Sequence, residues 1–346
     1  MKRTILILIL LISTSFLFAQ YPVINNGRPR IWVDSARFTS LKYLITIPGE
    51  AQDTYNELVY AYNNWWITDP QLYLVGSDST LWTWDWSSPY AANQSLITVF
   101  LFKVTNDPLA LKRCRFIAQQ ITNLIDTTDF SSMGWYDREK LLRQLSDNDM
   151  LLDQCYDYFP VGLRDSLTQS LYAMNRVFMN TYILSGAGNS YVSSHNTWNN
   201  IFCNQNALTL YNADGLTEQQ KDTVVQWYQI IYDKHINGFI PCWTYYRDDD
   251  GGWNWGAAYS MWSLVDQFQL FENMRIGTDK NFFTDLPWVQ NSINQYIYFM
   301  QPNNKCIHLG DGETGLAADR VMYLHARIFD DPRSLWLVQY WSDDRL

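Results

Sequence analysis

Apolar residues recur at i, i+3, i+4 and i+7 through most of this chain, the spacing of a helix face, and strand-like alternation is rare. The periodicity predicts eleven helices, over 51–66, 91–105, 108–126, 137–158, 161–184, 196–212, 217–236, 256–276, 287–300, 316–329 and 333–341. Asp107-Pro108, Pro160, Thr217, Pro287 and Asp331-Pro332 mark boundaries, because each caps or opens a helix while stopping the one before it. Leu96–Val104 and Leu141–Leu152 are apolar over more than one face. Such helices need neighbours on two sides, as in a double ring or a layered stack. The expected fold class is all-α. With no linker of biased composition and no internal repeat, residues 20–346 read as one domain.

Three long irregular stretches interrupt the helices: Thr68–Pro89, Ser185–Ser194 and Phe239–Trp255. Loops of that length in a helical domain are usually functional or disordered. Their aromatic content argues against disorder, and they are expected to cluster at one end of the array. Aromatics make up 16% of the chain, with 16 Trp and 23 Tyr, while charged residues are only 17% against about a quarter in an ordinary domain. Coiled coil and disorder are excluded. Rings with an apolar face and one polar edge suit a sugar-binding cleft, and they equally suit a wide aromatic core.

Residues 1–19 read as a signal peptide: Lys2 and Arg3, then unbroken aliphatic sequence from Ile5 to Ile12, then Phe18-Ala19 before Gln20. The apolar run of 15 residues from Ile5 to Ala19 is shorter than the roughly 20 a membrane helix needs. A periplasmic or secreted protein without a membrane anchor in its mature form is expected. The mature chain carries 23 Lys and Arg against 35 Asp and Glu, a net charge of −12. That disfavours nucleic acid as a partner. The five cysteines are scattered among apolar neighbours without a CxxC pair, and no HxxxH or HxH occurs, so neither a metal site nor another cofactor is expected.

Five segments stand out along the chain: Arg28-Pro29-Arg30-Ile31-Trp32-Val33; Leu152 to Phe159 followed by Leu163-Arg164-Asp165; Ser193-Ser194-His195-Asn196-Thr197-Trp198-Asn199-Asn200 with Asn206; Asp250-Gly251-Gly252-Trp253-Asn254-Trp255-Gly256-Ala257-Ala258-Tyr259; and Leu309-Gly310-Asp311-Gly312. In this order they resemble the catalytic toroid of the heparinase II/III-like and alginate-lyase-like polysaccharide lyases. The resemblance implies an (α/α) toroid, an incomplete double ring of about 10–12 helices, acting on an acidic polysaccharide or oligosaccharide. It departs from the pattern in two places. Ser194 stands where the family commonly has Asn, and the β-sandwich that follows the toroid in that family, with a further catalytic His, is expected to be missing after Leu346. Weak or absent activity of this chain alone is therefore expected.

A β-eliminating lyase must neutralise a uronate carboxylate, remove the C5 proton and protonate the leaving oxygen. His195 follows a loop of small residues, Ser185 to Ser190, and opens a helix, where a neutral imidazole can act as base; an ordinary hydrogen-bonded helix-start residue is the alternative. The resemblance assigns the acid/base tyrosine to Tyr259. Asn196 and Asn199 can hydrogen-bond a carboxylate or simply cap a helix. Arg247 can bind a substrate carboxylate or pair with Asp248, Asp249 and Asp250. Trp84, Trp198, Trp253 and Trp255 are candidates for stacking on sugar rings, with Trp82 and Trp86. His235, His308 and His325 have no supporting motif. Two other functions stay open: a glycoside hydrolase pairing Asp311 or Glu313 with Asp149 or Asp250, and a sugar-binding toroid without catalysis.

Overall fold

Helices begin where the sequence supplies a side chain to close the first turn. Asp34 accepts from Arg37 N (2.7 Å), Asp107 from Leu109 N (2.9 Å) and Asn281 from Phe283 N (3.2 Å), and Thr217 and Gln220 form a reciprocal capping box. The computed structural model describes residues 21–60, 62–63, 91–185, 190–247, 251, 256–299 and 319–342. Within them lie α1 (Ser35–Leu44), α2 (Glu50–Tyr60), α3 (Ala91–Thr105), α4 (Pro108–Thr127), α5 (Trp135–Ser146), α6 (Asp149–Cys155), α7 (Val161–Phe178) and α8 (Ser194–Leu210). After these come α9 (Glu218–Lys234), α10 (Ile240–Arg247), α11 (Gly256–Gly277), α12 (Phe282–Asp285), α13 (Pro287–Asn291), α14 (Ile293–Phe299), α15 (Asp319–Phe329) and α16 (Pro332–Ser342). The fold is all-α, and the sole β pairing among the described residues is an isolated bridge between Ile24 and Thr278.

Several expected boundaries move. The stretch 137–158 divides into α5, α6 and a 3₁₀ turn at Tyr156–Tyr158. Asn148 causes the first break: its Nδ2 donates to Gln144 O (2.9 Å) and its Oδ1 accepts from Ser95 Oγ (2.5 Å), so the side chain closes the end of α5. The helices α7 and α9 pass into π turns at Met179–Ile183 and His235–Phe239. Part of the stretch Phe239–Trp255, expected to be irregular, is the helix α10. Pro241 lies in its first turn, where a missing N–H is tolerated. Helix α1 was not legible in the periodicity, and 287–300 is two short helices. Thr68–Pro89 lies outside the described residues, as does the stretch 1–19, expected to be a signal peptide.

Helix α8 is the hub: α5, α6, α7, α9 and α11 all pack on it. From it, contacts run one way through α6 to α3 and the other way through α11 to α15, while α4 lies on α3 and α7, and α16 on α15. Residues 21–33 thread across this array. The carboxylate of Asp153 on α6 accepts from Arg28 (2.8 Å) and from the backbone N–H groups of Arg30 (2.7 Å) and Ile31 (3.1 Å). Arg30 is buried and donates to the carbonyls of Asn25, Asn26, Leu208 and Tyr211, which ties the thread to the end of α8. Trp32 N donates to Asn273 Oδ1 on α11 (2.9 Å). A side chain at Gly277 would stand 2.8 Å from Arg30 O, so the close crossing there requires glycine.

Two predictions concern stability. Asp153→Ala leaves half-buried Arg28 and two buried N–H groups without their acceptor, and should lower unfolding free energy by about 3–5 kcal/mol in chemical denaturation. His235 is buried beside Phe239 and Trp243 (ring centres 5.7 and 6.4 Å), and burial pushes its pKa down to about 3. Its folded pKa lies below the unfolded value of about 6.5, so protons favour the unfolded chain. Stability should be full above that pH and fall as pH drops below it, and His235→Phe should flatten this part of a melting-temperature profile.

Candidate active site around His195

Helices α5 and α8 cross so that two pairs of residues, each spaced four apart, face one another: Glu139 and Arg143 on α5, His195 and Asn199 on α8. Ser193 caps α8 by accepting from Asn196 N (3.5 Å), which places His195 in the first turn. Glu139 is 1% exposed and is the centre of the group. Its Oε2 lies 2.8 Å from His195 Nδ1, and its Oε1 accepts from Asn199 Nδ2 (2.6 Å) and pairs with Arg143 (2.6 Å). Arg143 Nε donates to Asn199 Oδ1 (3.2 Å), closing the ring of contacts.

The proton position follows from the donors available. An ionised carboxylate only accepts, so Nδ1 of His195 must carry the hydrogen that lies toward Glu139. Arg143 Nη2, 3.1 Å from the same nitrogen, is then a neighbouring charge rather than a donor to it. The neutral imidazole keeps its lone pair on Nε2, which has no hydrogen-bond partner among the described residues, and the side chain is 36% exposed. A buried carboxylate behind one ring nitrogen and an available lone pair on the other is the arrangement of an oriented general base.

Aromatic rings surround it. The centres of Trp135, Tyr136 and Trp198 lie 5.7, 6.4 and 5.7 Å from the imidazole, and Trp135 and Tyr136 are 47% and 62% exposed. Tyr182 supports them from below: its hydroxyl donates to Trp135 O (2.6 Å), and burial, with Glu139 nearby, pushes its pKa up to about 12. The Arg143 guanidinium lies over the Trp198 ring at 4.7 Å.

The sequence candidates separate. His195, Trp198 and Asn199 come together here, although the Asn199 amide is committed to Glu139 and Arg143 rather than free for a ligand. Asn196 turns its amide onto Ser190 O (3.1 Å), holding the loop before α8. Arg247 is fully buried, donates to Gly251 O (3.1 Å) and lies 4.9 Å over Trp288; burial pushes its guanidinium down to about 10. It is therefore built into the core and not presented to a ligand. Tyr259 stands in the first turn of α11, the helix packed on α8, and its side chain lies outside the described residues. Trp84, Trp253, Trp255, Asp250, Asp311 and Glu313 also lie outside them. Asp149 is wholly buried near Asn206, and its carboxyl is pushed well above the usual range by burial first and by Asp147 and Asp153 next. It cannot meet a substrate in this conformation.

Sequence reasoning missed Glu139, Arg143, Trp135 and Tyr136. Their one signal was the i, i+4 Glu–Arg spacing, which on most helices marks a solvated ion pair. Glu139→Ala should destabilise the chain by about 3–5 kcal/mol, because it strands Arg143 and Asn199 against a buried gap, whereas Glu139→Gln, which keeps the volume, should cost less. Paired denaturation curves check the order. No protein-family model matches this chain, and no curated protein matches it.

Proposed function

We propose that this chain is an exported (α/α) toroid that cleaves a uronate-containing glycan by β-elimination, with His195 as the base. The observation that carries the reading is the His195–Glu139 pair, with Nδ1 held at 2.8 Å and Nε2 open among three rings. The ring architecture is supported by the contact order α3–α6–α8–α11–α15, with α4, α7, α9 and α16 lying against it. That succession is expected of inner and outer helices.

In the proposed reaction, a sugar stacks on Trp198 or Trp135, as flat apolar rings favour. His195 Nε2 removes the C5 proton, the electron pair forms the C4=C5 double bond, and the C4–O bond breaks. The leaving oxygen takes a proton from Tyr259, the role that the sequence resemblance implies. Arg143, partly exposed and 3.1 Å from the imidazole, is the cation positioned to offset the uronate carboxylate. The assignment of carboxylate neutralisation thus passes from Asn196 and Asn199 to Arg143.

The mature chain from Gln20 should raise, slowly for want of the expected β-sandwich, the ultraviolet absorbance of the conjugated double bond when incubated with alginate, heparan sulfate or hyaluronan. His195→Ala should lower that rate by about 10²–10⁴-fold with little change in melting temperature. New reducing ends without the absorbance would replace elimination by hydrolysis. Binding without turnover would leave a sugar-binding toroid.

A further inference from the structure

A cavity of about 570 Å³ lies between the helices that meet around α8, a volume typical of small-molecule pockets. Its wall is mostly apolar and partly aromatic, with Trp32, Phe202, Phe268 and Tyr323. Three carboxyls break that wall: Asp147, at the end of α5, and Asp266 and Glu272, on α11. Among the described residues neither aspartate accepts a hydrogen bond or forms an ion pair.

The surrounding charges sort into two groups. Across the cavity, Glu272 on α11 pairs with Arg37, Arg275 and, at 3.6 Å, Arg327 on α15, and Arg275 also meets Asp34, so that end is balanced. At the other end the cation that acts on Asp266 is Arg143, already engaged by Glu139. Asp149 behind Asp147 adds a further acid. The residues that α8 contributes to the wall, Ile201, Phe202 and Gln205, are uncharged, as is Leu96 of α3. With all groups ionised, Glu139, Asp147 and Asp266 share one guanidinium. Burial, with Asp266 adding to it for Asp147, pushes both carboxyls up to about 7, although Arg143 opposes the rise at Asp266. An acidic end that lacks a cation, in an apolar pocket of ligand size, is complementary to a positively charged group on an apolar body.

We propose that this cavity binds a small organic cation, a protonated primary amine on a ring-sized apolar body, with its ammonium between Asp147 and Asp266. The proposal stands on the cavity and its charges, independently of the elimination chemistry at His195. The ammonium replaces the protons the carboxyls otherwise hold, so binding releases protons. Affinity rises with pH below about 7 and levels above it, while the amine itself stays charged to about pH 10.

Calorimetry on the full mature chain with cyclohexylamine, cyclohexanol and cyclohexanecarboxylate tests this, because the three share a body and differ in charge. Cyclohexylamine should bind at least tenfold more tightly than either of the others. Its affinity should rise by up to about a hundredfold per pH unit well below pH 7, a factor of ten for each proton released, with proton release seen in buffers of different ionisation enthalpy. Asp147→Asn and Asp266→Asn should each weaken the amine by tenfold or more without lowering the melting temperature at neutral pH, since each replaces a carboxyl that burial holds against ionisation. Equal binding of amine and alcohol, an affinity that does not change with pH, or no binding of the amine would overturn the proposal. If the variants fail to fold, the pH dependence and proton release of the unaltered protein decide alone.

Discussion

A helix packed on five others has almost no face left for water, and α8 meets that condition while carrying asparagine and glutamine on several sides. Burying an amide without a partner costs about 1–3 kcal/mol, so the neighbours of α8 must supply acceptors at fixed positions. They do for most: Asn199 donates to Glu139, Gln205 to Ser146 O (2.7 Å) and Asn204 to Met274 Sδ (3.7 Å), and Asn206 lies among Asn175, Ser146 and Asp149, while Asn200 donates within α8 itself, to Asn196 O (2.8 Å). The side-chain amide oxygens of Asn200 and Asn204 have no donor among the described residues. The directional bonds set the rotation of α8 against α5, α7 and α11 in a way that apolar packing, which has no direction, would leave loose.

The candidate site is a consequence of that rotation. Once Asn199 is locked onto Glu139, His195, one turn earlier on the same face, falls beside the other carboxylate oxygen. The pair is therefore held by bonds that the core already needs. The exposed rings at its edge are the part left to a ligand, and Tyr182 and Arg143 fix Trp135 and Trp198 from beneath. A base must be rigid on one side and open on the other, and the boundary between buried Glu139 and half-exposed His195 provides both.

Charge is distributed unevenly for the same reason. Asp153 and Glu272 are buried but matched, each by arginines brought from residues 28–37, and they hold the N-terminal thread in place. Asp147 and Asp266 stand half-buried in the cavity wall, and neither forms an ion pair among the described residues. Isolated carboxyls in an apolar wall work against folding, since burial penalises their ionised form.

The helical class and most helix starts were readable from the sequence, because periodicity and capping residues are local signals, and the small-residue loop before α8 drew attention to His195. The breaks inside 137–158, the helical nature of α10 and the buried place of Arg247 were not. Asn148 ends α5 through a bond to Ser95, and Arg247 lies over Trp288, and both partners are remote in sequence. Glu139 and Arg143 went unnoticed in the sequence, because only the crossing of α8 sets them beside His195 and Asn199. Asp147 and Asp266, 119 residues apart, line one cavity only because α5 and α11 both pack on α8. Local hydrogen bonds and face periodicity determine which segments coil. Which faces meet, and so which acids, rings and imidazole share a site, is decided by the long-range packing and polar matching around one buried helix.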